Sequence, residues 1–347
     1  MKEEVRDLWN LCFGDNEAFT DLYFSKRYNE EVNLSIQEEG KVISALQILP
    51  YPMTFCGEII PTGYISGACT HPDYREKGAM KRLLLKSFHK MQENNVPLTT
   101  LIPAEEWLFD YYSKLGYVSV FENSEQTFSV KKLSPSSRCL ISEFASLQTD
   151  VYPFFDKKMR ERPCCIQHTL EDFQVILDDL HLGKGNLFTA RVKDKIVGLV
   201  FCYIEGDTLH VPELFSENKD VRDTLLFETA KQMNAKRIIS IVPSIDETGE
   251  ILGMARIINA DKMLQIYATQ YSELELSFNL TDNLIEENNA FYSIKSGNIK
   301  KGGIKKTSLK VSIQQLTQGL MGYKIEQLPK EFSVLSKQSP YMSLMLD

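Results

Sequence analysis

Apolar residues recur at helical spacing twice near the start of the chain: Val5, Leu8, Trp9 and Cys12, then Phe19, Leu22, Tyr23 and Tyr28 after the polar break "GDNE". Such spacing marks one face of a helix, so two helices open the chain. The period then changes. "NLSIQEE" and "KVISALQILPYPMTFCGEIIPTGYISGACTHP" are rich in β-branched and aromatic residues and are broken at Glu39-Gly40, Cys56-Gly57 and Thr62-Gly63. This predicts a meander of about three strands and a fourth ending near Thr70. Met80, Leu83, Leu84, Phe88 and Met91 return to helical spacing after Gly78. "VPLTTLIP" reads as a short buried strand, "AEEWLFDYYSKLGY" as a helix ending at Gly116, and "YVSVFENSEQTFSV" as closing strands. One α+β unit is complete by about residue 130.

A partial echo follows. "KIVGLVFCYIEGDTLHVPELF", from Lys195, repeats the pattern that begins "KVISALQIL" at Lys41, and leads into the helix "DVRDTLLFETAKQMNAK" and the strand "RIISIVP". It has no glycine between Gly206 and Gly249, so it lacks a turn that could approach a phosphate closely. From about Met254 a third pattern begins. "ARIINADKMLQIYA" reads as strand and helix, "SELELSFNLTD" as a half-exposed strand, "AFYSIKSGNIKKG" as a hairpin, and "TSLKVSIQQLTQGLMGY" as a segment ending in a helix. The expected division is 1–130, 131–252 and 253–347, all α+β. The basic run "KSGNIKKGGIKK" is a solvated hairpin rather than a binding patch.

Composition narrows the chemistry. With 347 residues the chain has room for two or three domains, and 43% hydrophobic with 25% charged residues is ordinary for a globular protein. A net charge of -8 argues against a nucleic-acid groove and suits cationic small molecules. The 7 cysteines show no CxxC spacing and the 5 histidines no i, i+4 pair, so neither a disulfide framework nor a metal site is expected. The longest apolar run, Ile196 to Ile204, is too short to span a bilayer. A cytoplasmic protein without membrane contact is the expectation.

The chemistry centres on "THPDYREKGAMKRLL", residues 70–84: a strand end, a turn holding Arg75 and Gly78, then a helix. Backbone N–H groups at a turn that opens a helix converge on an anion, and the helix dipole adds positive charge there. Gly78 lets the backbone approach phosphate oxygens, and Arg75 and Lys77 add charge. An isolated Arg-x-x-Gly is expected about 0.6 times by chance in this composition. Its place between a strand and a periodic helix is what makes it informative.

That constellation resembles the GCN5-related N-acetyltransferases (GNAT), in which a V-x-P-x-Y-R-x-x-G-x-G/A segment grips the pyrophosphate of acetyl-coenzyme A. The resemblance places Thr70, Arg75, Glu76, Lys77, Gly78, Ala79 and Met80 at that co-substrate, Met80 standing where the family usually has glycine or alanine. "YYSKLGY" is similar to the family's F-Y-x-x-x-G-F, which assigns Tyr112 as the acid that protonates the departing thiolate, with Tyr111 the other candidate. The reaction needs these parts. An alkyl amine of pKa about 10.4 is free base about once in 2,500 molecules at neutral pH, which costs about 4.6 kcal/mol before attack. A carboxylate or water chain must take that proton, and a backbone N–H near Ala68, Cys69 and Thr70 can meet the oxyanion. Cys69 is read as a strand residue, not a nucleophile.

Two acetyltransferase-like units followed by a third domain resemble the enhanced-intracellular-survival type acetyltransferases, which end in a sterol-carrier-like domain. The resemblance implies that only the first unit binds acetyl-coenzyme A, without metal. It implies an acceptor that is an amine of an aminoglycoside, a polyamine-like molecule or a protein lysine, and assembly into homo-oligomers, hexamers in that family. It also implies a C-terminal carboxylate, here that of Asp347, that reaches the first unit's active site as base, with Tyr341, Met342, Leu344 and Met345 burying themselves on the way. Glu105, Glu106 and Asp110 are candidates to attract a cation. The competing readings are another acyl or aminoacyl transferase on a duplicated fold, and a non-enzymatic protein that binds acyl-coenzyme A or an apolar ligand.

Overall fold

A computed structural model describes residues 1–144, 150–244, 249–305 and 309–346. In chain order the elements are α1 (Lys2–Phe13), α2 (Glu17–Lys26), β1 (Asn33–Glu38), β2 (Lys41–Phe55), β3 (Glu58–Thr70), α3 (Ala79–Glu93), β4 (Leu98–Leu101), α4 (Glu106–Ser113) and β5 (Val118–Ser129). Then follow β6 (Leu140–Glu143), α5 (Val151–Arg160), α6 (Leu170–Leu182), β7 (Asn186–Val192), β8 (Lys195–Glu205), β9 (Thr208–Ser216), α7 (Lys219–Gln232) and β10 (Arg237–Pro243). The chain closes with β11 (Glu250–Ile257), α8 (Ala260–Gln270), β12 (Leu276–Thr281), β13 (Ala290–Lys295), β14 (Asn298–Gly302), β15 (Leu309–Ser312) and α9 (Ile313–Leu320). The fold is α+β, as expected. Among the described residues no helix is long and apolar enough to cross a membrane.

The predicted meander is made of three strands rather than four. The breaks at Glu39-Gly40 and Cys56-Gly57 are tight hairpin turns with positive φ at both residues. Thr62-Gly63 is no break at all: Gly63 pairs with Pro50 in the middle of β3. A Cβ on Gly63 would lie 2.6 Å from Met91 Sδ and 2.9 Å from Ile48. The glycine lets α3 pack close to the sheet, where sequence alone suggests a turn. On α3 the expected face is buried, Leu83, Leu84, Phe88 and Met91 all lying in the core, with Met80 half-buried.

One sheet of eleven strands runs through the molecule in the order β1-β2-β3-β4-β11-β5-β10-β9-β8-β7-β6. The expected division at 130 and 252 does not coincide with its seams. β11 crosses residue 252 and lies between β4 and β5, pairing Met254 to Ile257 with Leu98 to Leu101. β5, expected as several strands, is one long strand. It starts against β11 and ends against β10, with Asn123 opposite both Glu250 and Pro243. Each half of the sheet is thus completed by a strand distant in sequence, which leaves neither half with an unpaired inner edge. β12 to β15 form a separate four-stranded sheet, β14-β13-β12-β15. Its core continues into that of the first half through Tyr267, Phe278, Leu316 and Phe55.

Candidate active site

The strand that leads into the turn is bent open. β3 pairs in parallel with β4 only from Thr62 to Tyr64, then runs on to Thr70 while β4 ends at Leu101. The far part of β3 therefore parts from its neighbour and leaves a wedge between the two strands. A bulge lies at the opening: the register against β2 slips between Ala45–Cys69 and Gln47–Ser66, and Gly67 there has φ +58. A Cβ on Gly67 would lie 2.3 Å from both Gln47 Oε1 and the Trp9 ring, so only glycine fits. Sequence reading passed over Gly67; a glycine inside a strand pattern is the signal that marks such a bulge. Ala68 packs on the same apolar cluster as Met80, Tyr111 and Tyr112.

Beyond Thr70 the chain makes one short helical turn, Pro72 to Tyr74, and reaches α3 at Gly78. The turn is held by its own side chains. Asp73 N–H donates to His71 Nδ1 at 3.3 Å, Arg75 Nε to the Thr70 carbonyl at 3.2 Å, and Lys77 Nζ to the Asp73 carbonyl at 2.9 Å. Glu76 and Gly78 are both left-handed, φ +62 and +76, which folds the loop tightly ahead of α3. Gly78 is the N-cap of α3 and supplies no side-chain cap, and a Cβ built on it would meet open space. The first N–H groups of α3 thus have no side-chain cap, and Arg75, Lys77 and Gly78 beside them are exposed.

The corresponding place in the second half is built differently. Only Glu217 and Asn218 join β9 to α7, and Asn218 Oδ1 accepts the Val221 N–H at 3.0 Å. α7 is capped by its own chain where α3 is left open.

Across the wedge, α4 carries Tyr112, which is buried, with its ring 5.4 Å from Tyr111 and 5.7 Å from Tyr117. Burial, with Tyr111 beside it, pushes the Tyr112 phenol above the usual tyrosine range, so it stays protonated at neutral pH. The C-terminus of α4 is fixed from outside: Arg256 on β11 donates through Nε to the Leu115 carbonyl at 2.8 Å. A Cβ on Gly116, φ +88, would lie 2.8 Å from that nitrogen.

A family profile described as acetyltransferase (GNAT) domain matches residues 2–120, and one described as sterol carrier protein domain matches residues 261–329. Residues 2–120 are thus a GNAT acetyltransferase domain. The chain is accordingly an acyltransferase, with a sterol carrier protein domain toward its C-terminus. A GCN5-related N-acetyltransferase from Anabaena variabilis shares its fold at a TM-score of 0.82 and 18% identity, over 98% of this chain and 96% of that one. A probable N-acyltransferase from Enterococcus faecalis does so at 0.80 and 18%, over 99% and 96%. Eis1 from Mycobacterium abscessus does so at 0.72 and 12%, over 99% and 96%. At these identities the likeness is one of fold. Among curated proteins, no sequence matches the chain.

The acetyltransferase domain brings Ala68, Cys69, Thr70 and the turn 75–80 to one end of the wedge. Sequence reading did not anticipate Cys12, on α1, whose Sγ lies 3.5 Å from the Thr70 carbonyl. The Cys69 thiol hydrogen-bonds to it and Arg75 lies close, which together lower the Cys12 thiol to about 7; the same contact pushes Cys69 up. Glu105 accepts from Trp107 Nε1 at 2.7 Å, on an exposed face.

The C-terminal tail is not a frayed end over its described length. Tyr341 joins residues 164–166 as a short bridge, its N–H donating to the Cys164 carbonyl and its carbonyl accepting from Ile166, both at 3.1 Å. Tyr341, Met342 and Leu346 are buried, Leu344 and Met345 half-buried. His168 Nε2 and the Ser343 carbonyl are 2.9 Å apart, and the Ser343 hydroxyl donates to Glu213 at 2.7 Å. Asp347 lies outside the described residues.

Proposed function

We propose that the acetyltransferase domain moves an acetyl group from acetyl-coenzyme A directly to a primary amine of a small cationic molecule or a protein lysine. The observation that carries this reading is the difference between two equivalent helix starts. α3 is uncapped behind Gly78 with Arg75 and Lys77 around it, while α7 is closed by Asn218. An uncapped helix start is a site for an anion, so one pyrophosphate per chain is expected. The residues fit the donor: open space at Gly78 and two cations, with the bulged strand of Ala68 to Thr70 leading into the wedge.

Acetyl-coenzyme A supplies the activated thioester. The turn 75–80 holds the pyrophosphate, and the strand end at Ala68 to Thr70 offers N–H groups to the charge that develops on the thioester oxygen. Tyr112, kept neutral by burial, donates its proton to the departing sulfur. The base that frees the amine under this reading is the carboxylate of Asp347. Under this reading the chain acts in the cytoplasm as a homo-oligomer, and its domains divide near 130 and 252 along the sequence while β11 returns to the sheet of the first.

Calorimetry with acetyl-coenzyme A should show one site per chain. Absence of binding at roughly millimolar ligand overturns the proposal. Thiol release measured across aminoglycosides, polyamines and lysine peptides then ranks the acceptors. Deleting Asp347 should abolish release while leaving donor affinity intact, and unchanged turnover rejects the terminal base.

A further inference from the structure

A cavity of about 710 Å³ lies where α2, α6, β8, β9 and the tail meet. Its walls are largely apolar: Phe19 from α2, Ile176 and Leu180 from α6, Phe201 from β8, and Leu344 and Leu346 from the tail. Asn16 is at its rim, but its side chain is used, accepting the Phe19 N–H at 2.9 Å to cap α2. Among the described residues, the one charged residue in the lining is Asp179. Asp179 is half-buried, and among the described residues no cation pairs with its carboxylate. Its neighbour Asp178, by contrast, has Lys26 at 3.8 Å and accepts from Gln174 at 3.0 Å. Burial alone raises the Asp179 carboxyl above its usual range.

The tail forms this wall under constraint. Leu344 has φ +55, a left-handed backbone that a branched residue rarely adopts. It is held there by the flanking contacts of Ser343 with His168 and Glu213 and by the burial of Met342 and Leu346. Backbone strain of this kind persists where surrounding contacts over-determine it, and it gathers at ligand sites. The cavity and the candidate acetyl-transfer site are linked along the chain by α1. Asn16 follows α1 by three residues, and Cys12 near the end of α1 touches the Thr70 carbonyl at the strand end.

A carboxylate partly removed from water without a counter-ion is unfavourable, and a cationic ligand would relieve it. Apolar walls select the rest of that ligand, because hydroxyl groups set against Phe19, Leu180 and Phe201 would lose their hydrogen bonds to water. We propose that this cavity is the acceptor site and that it takes an organic cation with an apolar body, an alkyl or arylalkyl amine, whose ammonium group is held by Asp179. The term acceptor rests on the acetyl-transfer reading; binding of the cation does not. A densely hydroxylated aminoglycoside fits this lining poorly, so the amphiphilic amine is the preferred substrate class.

A quaternary ammonium probe cannot be acetylated, so it reads the cavity separately from the reaction. Butyl- and hexyltrimethylammonium, titrated into the full chain by calorimetry, should bind once per chain, the longer one more tightly. Asp179→Asn should weaken both by about tenfold or more while leaving 1-hexanol binding unchanged. Ala18→Trp, at the exposed rim, should block probe and alcohol alike. No probe binding at roughly millimolar concentration, or equal affinity in Asp179→Asn, overturns the inference. If acetyl-coenzyme A binds and the probes do not, the transferase reading stands and this one falls. If the probes bind and acetyl-coenzyme A does not, the cation site stands and the transferase reading falls.

Discussion

Arg256 and Asp282 form an ion pair at 2.7 Å with both side chains sealed from solvent. Arg256 sits on β11, inside the sheet of the acetyltransferase domain, and Asp282 follows β12 in the sterol carrier protein domain. The pair is fully served: Arg256 also donates to the Leu115 and Ile257 carbonyls, and Asp282 accepts from the Leu284 N–H and from Asn288. The Arg256 guanidinium lies 4.5 Å from the Phe88 ring centre, on the helix that begins at Gly78. Two domains and two site helices therefore share one buried cation.

Asp282→Ala would strand that cation. A loss of about 3–5 kcal/mol in unfolding free energy is expected, because the remaining charge has no compensation. Denaturant titration measures it, and a loss below about 1 kcal/mol would show that water or another group serves Arg256. Gly116→Ala tests the same joint from the α4 side. It should reduce turnover as well as stability, since its Cβ would push against Arg256 where the helix of Tyr112 ends.

Tyr112→Phe should lower kcat by about 10²-fold, the typical worth of a positioned proton donor. The affinity for acetyl-coenzyme A should not move, and Tyr111→Phe should stay within about twofold of the parent. Because burial raises the Tyr112 phenol, the group keeps its proton as pH rises through the ordinary tyrosine range. The alkaline limb of kcat should therefore lie above about pH 10. A limb near pH 8 would point to another acid.

The two helix starts make a paired experiment. Gly78→Val should raise the KM for acetyl-coenzyme A by about tenfold or more, through a strained left-handed φ and a side chain placed in the phosphate approach. Asn218→Ala should cost about 1 kcal/mol of stability by uncapping α7 and leave KM alone. Equal kinetic effects in the two variants would remove the distinction between the copies.

Cys12 provides a pH-dependent reporter at the donor site. With its thiol lowered to about 7, alkylation of Cys12 followed by peptide mass spectrometry should accelerate as pH rises through 7. Arg75→Gln should move that midpoint upward. The linkage has a definite sign: the folded value lies below the unfolded one near 8.5, so the thiolate's contribution to stability is present above about pH 8.5 and is lost as pH falls through 7. A midpoint at or above 8.5 in the parent refutes the contact with Cys69 and Arg75.

Much of the site was legible from local pattern. The spacing of Leu83, Leu84, Phe88 and Met91 requires a helix whatever surrounds it, and Gly78 ahead of that helix, with Arg75 three residues earlier, marks its open start. Thr62-Gly63 misled because a glycine that makes a turn and one that lets a helix approach a sheet look alike until Met91 and Ile48 are in place. Gly67 was overlooked for the same reason, its necessity residing in Trp9 and Gln47.

By itself, then, the sequence determined what depends on neighbours along the chain: the helix of Leu83 to Met91 with Gly78 at its start, the hairpin turns at Glu39-Gly40 and Cys56-Gly57, the glycine-free connection of the second half, and the aromatic helix of Tyr112. Tertiary structure alone decided what depends on residues far apart meeting. It placed β11 between β4 and β5, set Arg256 against Leu115 and Asp282, threaded the tail past Cys164 and His168, and opened a cavity around Asp179. Strand partners and cavity walls are chosen by register and shape across the whole chain, and no local period records them.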